Sequence, residues 1–91
     1  MSVSIRIPIT LQTSTGGEKN IYTPPGSVYD ICKFIDKNYP MLARKILDEN
    51  LMLKKGIFIF LNDRHDKHFL HKDEVILDGQ KLVIIPSIAG G

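Results

Sequence analysis

Apolar and polar residues alternate at the start of the chain, where Val3, Ile5, Ile7 and Ile9 are separated by Ser4, Arg6 and Pro8. Period-two alternation marks a half-buried strand, predicted over residues 3–9, with Pro8 suggesting an edge or a strand end. The run Thr13, Ser14, Thr15, Gly16, Gly17 is turn chemistry. Residues 18–23 resume an extended pattern, so a hairpin with the first strand is expected, closed by Pro24, Pro25 and Gly26. The period then changes. Val28, Ile31, Cys32, Ile35 and Tyr39 fall at i, i+3, i+4, i+7 and i+11, a single apolar stripe on a helix. Ser27 supplies an N-cap, and Asp30 three residues later approximates a capping box. Pro40 stops that helix near Tyr39, because the residue before a proline is pushed out of the helical region. A short second helix is expected over residues 41–47, with Leu42 and Ile46 one turn apart.

Beyond Asn50 the signals turn extended again. Residues 57–61 (Ile57, Phe58, Ile59, Phe60, Leu61) are apolar at both parities, which predicts a strand inside a sheet and buried on both faces or nearly so. Residues 64–73 are polar and histidine-rich, a loop or short irregular strand, and residues 74–77 form another short extended piece. Asp78 and Gly79 make a tight turn into a last strand over residues 81–86. The order β-β-α-(α)-β-β-β implies an α+β layer architecture: a mixed sheet of four to five strands, one main helix and a short second helix on one face. The β-grasp, or ubiquitin-like, arrangement fits that order, with the last strand lying centrally beside the first.

Composition narrows the possibilities. Ninety-one residues at 43% hydrophobic content are enough for one core. The expected division is a domain over residues 1–86 and a tail over residues 87–91. The single Cys32 has no internal disulfide partner and falls on the helical stripe, where a packing role is expected. With neither a signal-peptide pattern nor an apolar run of membrane-spanning length, the chain is expected to be cytoplasmic and free of membrane contacts. Net charge is +2, from 12 basic and 10 acidic residues. That falls short of a nucleic-acid-binding stripe. The basic residues Arg44, Lys45, Lys54 and Lys55 are expected to be a wet face.

Three features bear on chemistry. His65, His68 and His71 recur with Asp66 and Asp73 nearby, a set of nitrogen and oxygen donors that invites a zinc reading. No neighbouring element fixes their direction, so a solvated loop without metal is the preferred expectation. Gly16 and Gly17 lack the glycine spacing and the lysine of a phosphate loop, so no ATP site is expected. The third feature is the tail. Ser87, Ile88, Ala89, Gly90 and Gly91 follow a strongly apolar strand, and five residues reach roughly 17 Å when extended. Two glycines in succession suit a narrow crevice in another protein, although a frayed terminus reads equally well from the tail alone.

Several segments together resemble the ThiS/MoaD sulfur-carrier family. They are Ile7-Pro8, Thr15 through Lys19, Asn38-Tyr39-Pro40, Phe60-Leu61-Asn62-Asp63, Leu77-Asp78-Gly79 and the closing Ile84-Ile85-Pro86-Ser87-Ile88-Ala89-Gly90-Gly91. The Thr-Gly-Gly segment and the Pro-x-x-Ala-Gly-Gly ending are most similar to the carrier of thiocarboxylate-dependent cysteine synthesis. Gln80 departs from the pattern, standing where an acidic residue is common. The resemblance implies that an E1-like adenylating enzyme of the MoeB/ThiF type, using ATP, activates the Gly91 carboxylate. The activated carbonyl becomes a thiocarboxylate, whose sulfur passes to an accepting synthase in the cysteine, thiamine, molybdopterin or another pathway. Gly90, Ala89, Ile88 and Ser87 would then be docking residues, with Ile88 a candidate contact. The chain itself would bind no cofactor and catalyse nothing. Two alternatives stay open: a modifier joined to lysines through Gly91, and a noncovalent β-grasp module.

Overall fold

The structure is a computed structural model that describes residues 2–87. The expectations for Ile88, Ala89, Gly90 and Gly91 therefore lie outside the described residues. In chain order the elements are β1 (Val3–Arg6), a 3-10 helix (Ile9–Thr15), β2 (Asn20–Thr23), β3 (Gly26–Ser27), α1 (Val28–Asn38), α2 (Pro40–Ile46), β4 (Ile57–Asn62), β5 (Lys67–Phe69), β6 (Val75–Ile76) and β7 (Lys81–Pro86). A five-stranded sheet runs in the order β2-β1-β7-β4-β5, with β3 and β6 forming a separate two-stranded ribbon. β1 and β7 are parallel, and the other pairs in the main sheet are antiparallel. The last strand lies beside the first, which makes this a β-grasp fold.

Val3 and Ile5 of the first strand, and Ile7 just beyond it, are buried as the alternation predicts. It ends at Arg6, however, because Pro8 has no N–H to give a ladder. Ile9 is 82% exposed and opens the 3-10 helix instead of completing the strand. The expected hairpin is thus a wider excursion, reversed by Gly16 and Gly17 at φ of 65° and 86°. Its strands still pair antiparallel, with Val3 opposite Thr23 and Ile5 opposite Ile21.

α1 is built as its sequence indicates. The backbone N–H of Asp30 donates to Ser27 Oγ at 3.0 Å, and the N–H of Ser27 donates to Asp30 Oδ2 at 3.2 Å. This reciprocal capping box satisfies donors that no helical partner can reach. Val28, Ile31, Cys32 and Ile35 are buried, and Tyr39 packs half-buried at the helix end. Pro40 then occupies the first position of α2, where a missing N–H costs nothing. The helices meet the inward residues of the sheet, including Ile5, Ile21, Ile59, Leu61, Leu82 and Ile84, in one core.

One expectation for the second half is corrected. β4 is not buried on both faces: Ile59 and Leu61 are closed to water, but Phe58 is 46% exposed. Both helices lie on one side of the sheet, so only one parity of an apolar strand is covered. The polar stretch after it holds the short strand allowed for there, since β5 pairs with β4 as the sheet edge. β6 meets β3 rather than the main sheet, placing Val75 opposite Ser27. That ribbon ties the chain down immediately before α1.

Candidate functional site

The candidate site is the end of β7, the last part of the chain among the described residues. β7 pairs with β1 only over Lys81 to Val83, but its ladder with β4 runs on to Pro86, which faces Ile57. The next backbone N–H, that of Ser87, donates to the carbonyl of Gly56. Gly56 sits in a turn closed by the Ile57 N–H donating to the Lys54 carbonyl at 3.0 Å, and its φ is +87°. A glycine holds this left-handed conformation without the Cβ clash other residues suffer. Ser87, assigned from sequence to the tail, is therefore exposed yet anchored to the fold.

Beside that base stands an aromatic cluster that the sequence reading missed. Phe69 is 55% exposed and meets the rings of both Phe58 and Phe60 edge to face, with centroids 5.6 Å and 5.1 Å apart. Ile85, paired with Phe58, extends the patch toward Ser87. Exposed apolar surface grouped in this way is a candidate contact site. The signal was present in the strand itself. Ile57, Ile59 and Leu61 share one parity and Phe58 and Phe60 the other, and a sheet covered on one side leaves the second parity outside.

The histidines do not act together. Among the described residues no group of three or more His, Cys, Asp or Glu is placed to hold a metal ion. His65 and His71 are exposed, whereas His68 lies on β5 between two carboxylates. Its Nδ1 is 2.8 Å from Asp66 Oδ1, and its Nε2 is 2.6 Å from Glu74 Oε2. The expected solvated loop without fixed partners is thus replaced by a clasp. With both carboxylates ionised, both ring nitrogens can donate only if the imidazole is protonated. The hydrogen bonds to Glu74 first and Asp66 second hold the His68 pKa above its ordinary value. The same contact with His68, with the backbone N–H of His71 behind it, holds Glu74 low. The Glu74 carbonyl also accepts from the Val28 N–H at 2.9 Å, so the clasp reaches the first turn of α1.

Other candidates resolve simply. Cys32 is buried, and burial pushes its thiol up to about 11, leaving little thiolate to react. Arg44, Lys45, Lys54 and Lys55 are exposed, with Lys54 Nζ donating to the Arg44 carbonyl. Gln80, the departure from the family pattern, donates to Asp63 Oδ2 at 3.2 Å and accepts from the Leu77 N–H at 2.8 Å. It closes the turn before β7. No helix among the described residues is long and apolar enough to cross a membrane.

A mixed β-grasp sheet with its last strand running into an anchored, aromatic-flanked tail base defines a ubiquitin-like protein. Residues 5–91 match the ThiS family, and the chain belongs to that family. It is 26% identical over 93 residues to the sulfur carrier protein CysO of Mycobacterium tuberculosis, covering all of both chains. Among solved structures it is similar to the Amycolatopsis orientalis BexX/CysO complex, with a TM-score of 0.80 and 27% identity over 98% of this chain and 99% of that one. The fold is also that of SAMP1 from Haloferax volcanii, at a TM-score of 0.80 and 17% identity over the whole of both chains.

Proposed function

We propose that this protein is a sulfur carrier whose working group is the Gly91 carboxylate. One observation carries the reading most directly: in a chain that matches the ThiS family through residue 91, the tail base is clamped at Ser87 beside exposed aromatic rings. The fold supplies a handle and an aimed strand end, and the chemistry is done by partners. An E1-like adenylating enzyme grips the outer face while the tail enters its active site. There the Gly91 carboxylate attacks the α-phosphate of ATP, pyrophosphate leaves, and the acyl-adenylate carbonyl is opened to a sulfur nucleophile. Sulfur displaces AMP, and the resulting thiocarboxylate delivers its sulfur to an accepting synthase. The relatives named CysO favour cysteine synthesis as the pathway. Ile88, Ala89 and Gly90 serve passage of the tail through the crevice while Ser87 holds its base, and the chain binds no cofactor of its own.

The deciding experiment mixes the protein with the activating enzyme, ATP and a sulfur donor and measures intact mass. A gain of one sulfur for one oxygen is expected, lost on deletion of Gly91 with the melting temperature unchanged. Sulfur gained without Gly91 defeats the mechanism. A link to a target lysine instead points to a modifier, because the same acyl-adenylate can be captured by an amine.

A further inference from the structure

The outer face of the sheet is not uniform. At the tail end it shows Phe58, Phe60, Phe69 and Ile85. Toward the other end, following the strand registers, it shows Ser4, Arg6, Asn20, Tyr22, Asn62, Lys67 and Lys81. No Asp or Glu occurs in any of the five strands, although the chain holds 10 acidic residues. Among the described residues Arg6, Lys67 and Lys81 make no ion pair. The acids on the adjoining loop accept hydrogen bonds from other groups. Asp63 accepts from Gln80 and from the Arg64 N–H, and Asp66 accepts from His68. Arg6 and Lys81 instead flank a shallow depression of about 470 Å³, completed by Asn20, Tyr22 and Asn62. Its walls offer two full positive charges and several neutral hydrogen-bonding groups, a setting for carboxylates.

We propose that the activating enzyme that takes the tail lays an acidic segment into this depression, its carboxylates pairing with Arg6 and Lys81 while its apolar surface covers Phe58 and Phe69. The proposal rests on the carrier reading above. Size argues for a two-part footprint. A stable interface covers on the order of 800 Å² per partner. A few aromatic side chains at the tail base are too small for that, so a partner seated there must extend across the same face. The depression begins at Val83, only two residues along β7 from Ile85, roughly 7 Å at the rise of a strand. Charge sets the rest. An acidic partner surface meets no like charge on the strands, and a basic one would face three cations that hold no ion pair. Pairs at the rim of an interface act mainly on encounter rate and are screened by salt.

The test compares wild type with the Arg6→Glu/Lys81→Glu double variant as substrates of the activating enzyme from the same source, following pyrophosphate release at low and high NaCl. Wild type should show a KM that rises with salt. The double variant should show a KM raised about tenfold or more at low salt, a gap that narrows as salt is added. The Arg6→Gln/Lys81→Gln variant, which reverses no charge, should fall between them and guards against misfolding of the first. Phe58→Ala should raise KM by a factor that salt leaves unchanged. A wild-type KM indifferent to salt, or double-variant kinetics equal to wild type, overturns the acidic-segment proposal and leaves the carrier function standing. A wild type that releases no pyrophosphate with this enzyme overturns both.

Discussion

The two faces of β4 use similar residues to opposite ends. Ile59 and Leu61 are sealed against α1 and α2, while Phe58 and Phe60, one residue away, point to the side no helix covers. On the inner face, apolar area removed from water holds the fold together. On the outer face the same kind of area remains exposed, grouped at the root of the tail, and is available to another protein. The difference lies in the layers and not in the residues, since a β-grasp covers one side of its sheet and leaves the other for contact.

Substitutions on the two faces should therefore separate stability from partner use, and the largest effects belong inside. Ile84→Ala or Ile35→Ala removes a fully buried side chain and should cost about 2 to 5 kcal/mol by denaturant unfolding. A variant as stable as wild type would break the comparison at its root. Next comes the tail anchor. Gly56→Ala forces a Cβ into a backbone at φ +87° and should cost about 1 to 2 kcal/mol, read as a lower melting temperature. An unchanged melting temperature would show that the turn does not constrain the strand end.

Outside, Phe58→Ala removes one edge-to-face contact, worth at most about 1.5 kcal/mol, and Phe69→Ala removes two, so stability should fall less at Phe58 than at the core sites. Loading with sulfur should suffer more than melting does. Equal damage to both would place these rings among the structural residues.

The smallest effect concerns the His68 clasp. Its folded pKa is raised from an ordinary 6.5, so its contribution is complete below 6.5 and disappears as pH rises through the higher folded value. Glu74 is lowered from an ordinary 4.5, so its contribution is present above 4.5 and disappears as pH falls through the lower folded value. The clasp is thus at full strength between pH 4.5 and 6.5. Melting temperature against pH should drop on both sides of that window by more in wild type than in His68→Asn. Parallel curves for the two proteins would show that the clasp adds nothing.

Reading the chain alone recovers whatever depends on neighbours a few residues apart. The Ser27–Asp30 capping box, the stripe from Val28 to Ile35, the stop before Pro40 and the inward parity of Val3 and Ile5 all follow from local geometry, and each is present. The family was legible as well, through segments spread along the chain and the glycines at its close. Of the candidate site, the tail was visible but its surroundings were not. That Gly56 anchors Ser87, that Phe69 joins Phe58 and Phe60, and that Arg6 and Lys81 share a depression without an acid are facts of strand order, which brings residues 6, 58, 69 and 81 onto one surface. His68 gained its two carboxylates in the same way, once β5 had paired and the 71–74 turn had folded back. Local signals specify elements because backbone hydrogen bonds and capping act over a turn or less. Which face of an element stays in water is decided only when layers pack, since burial is a property of the assembled core.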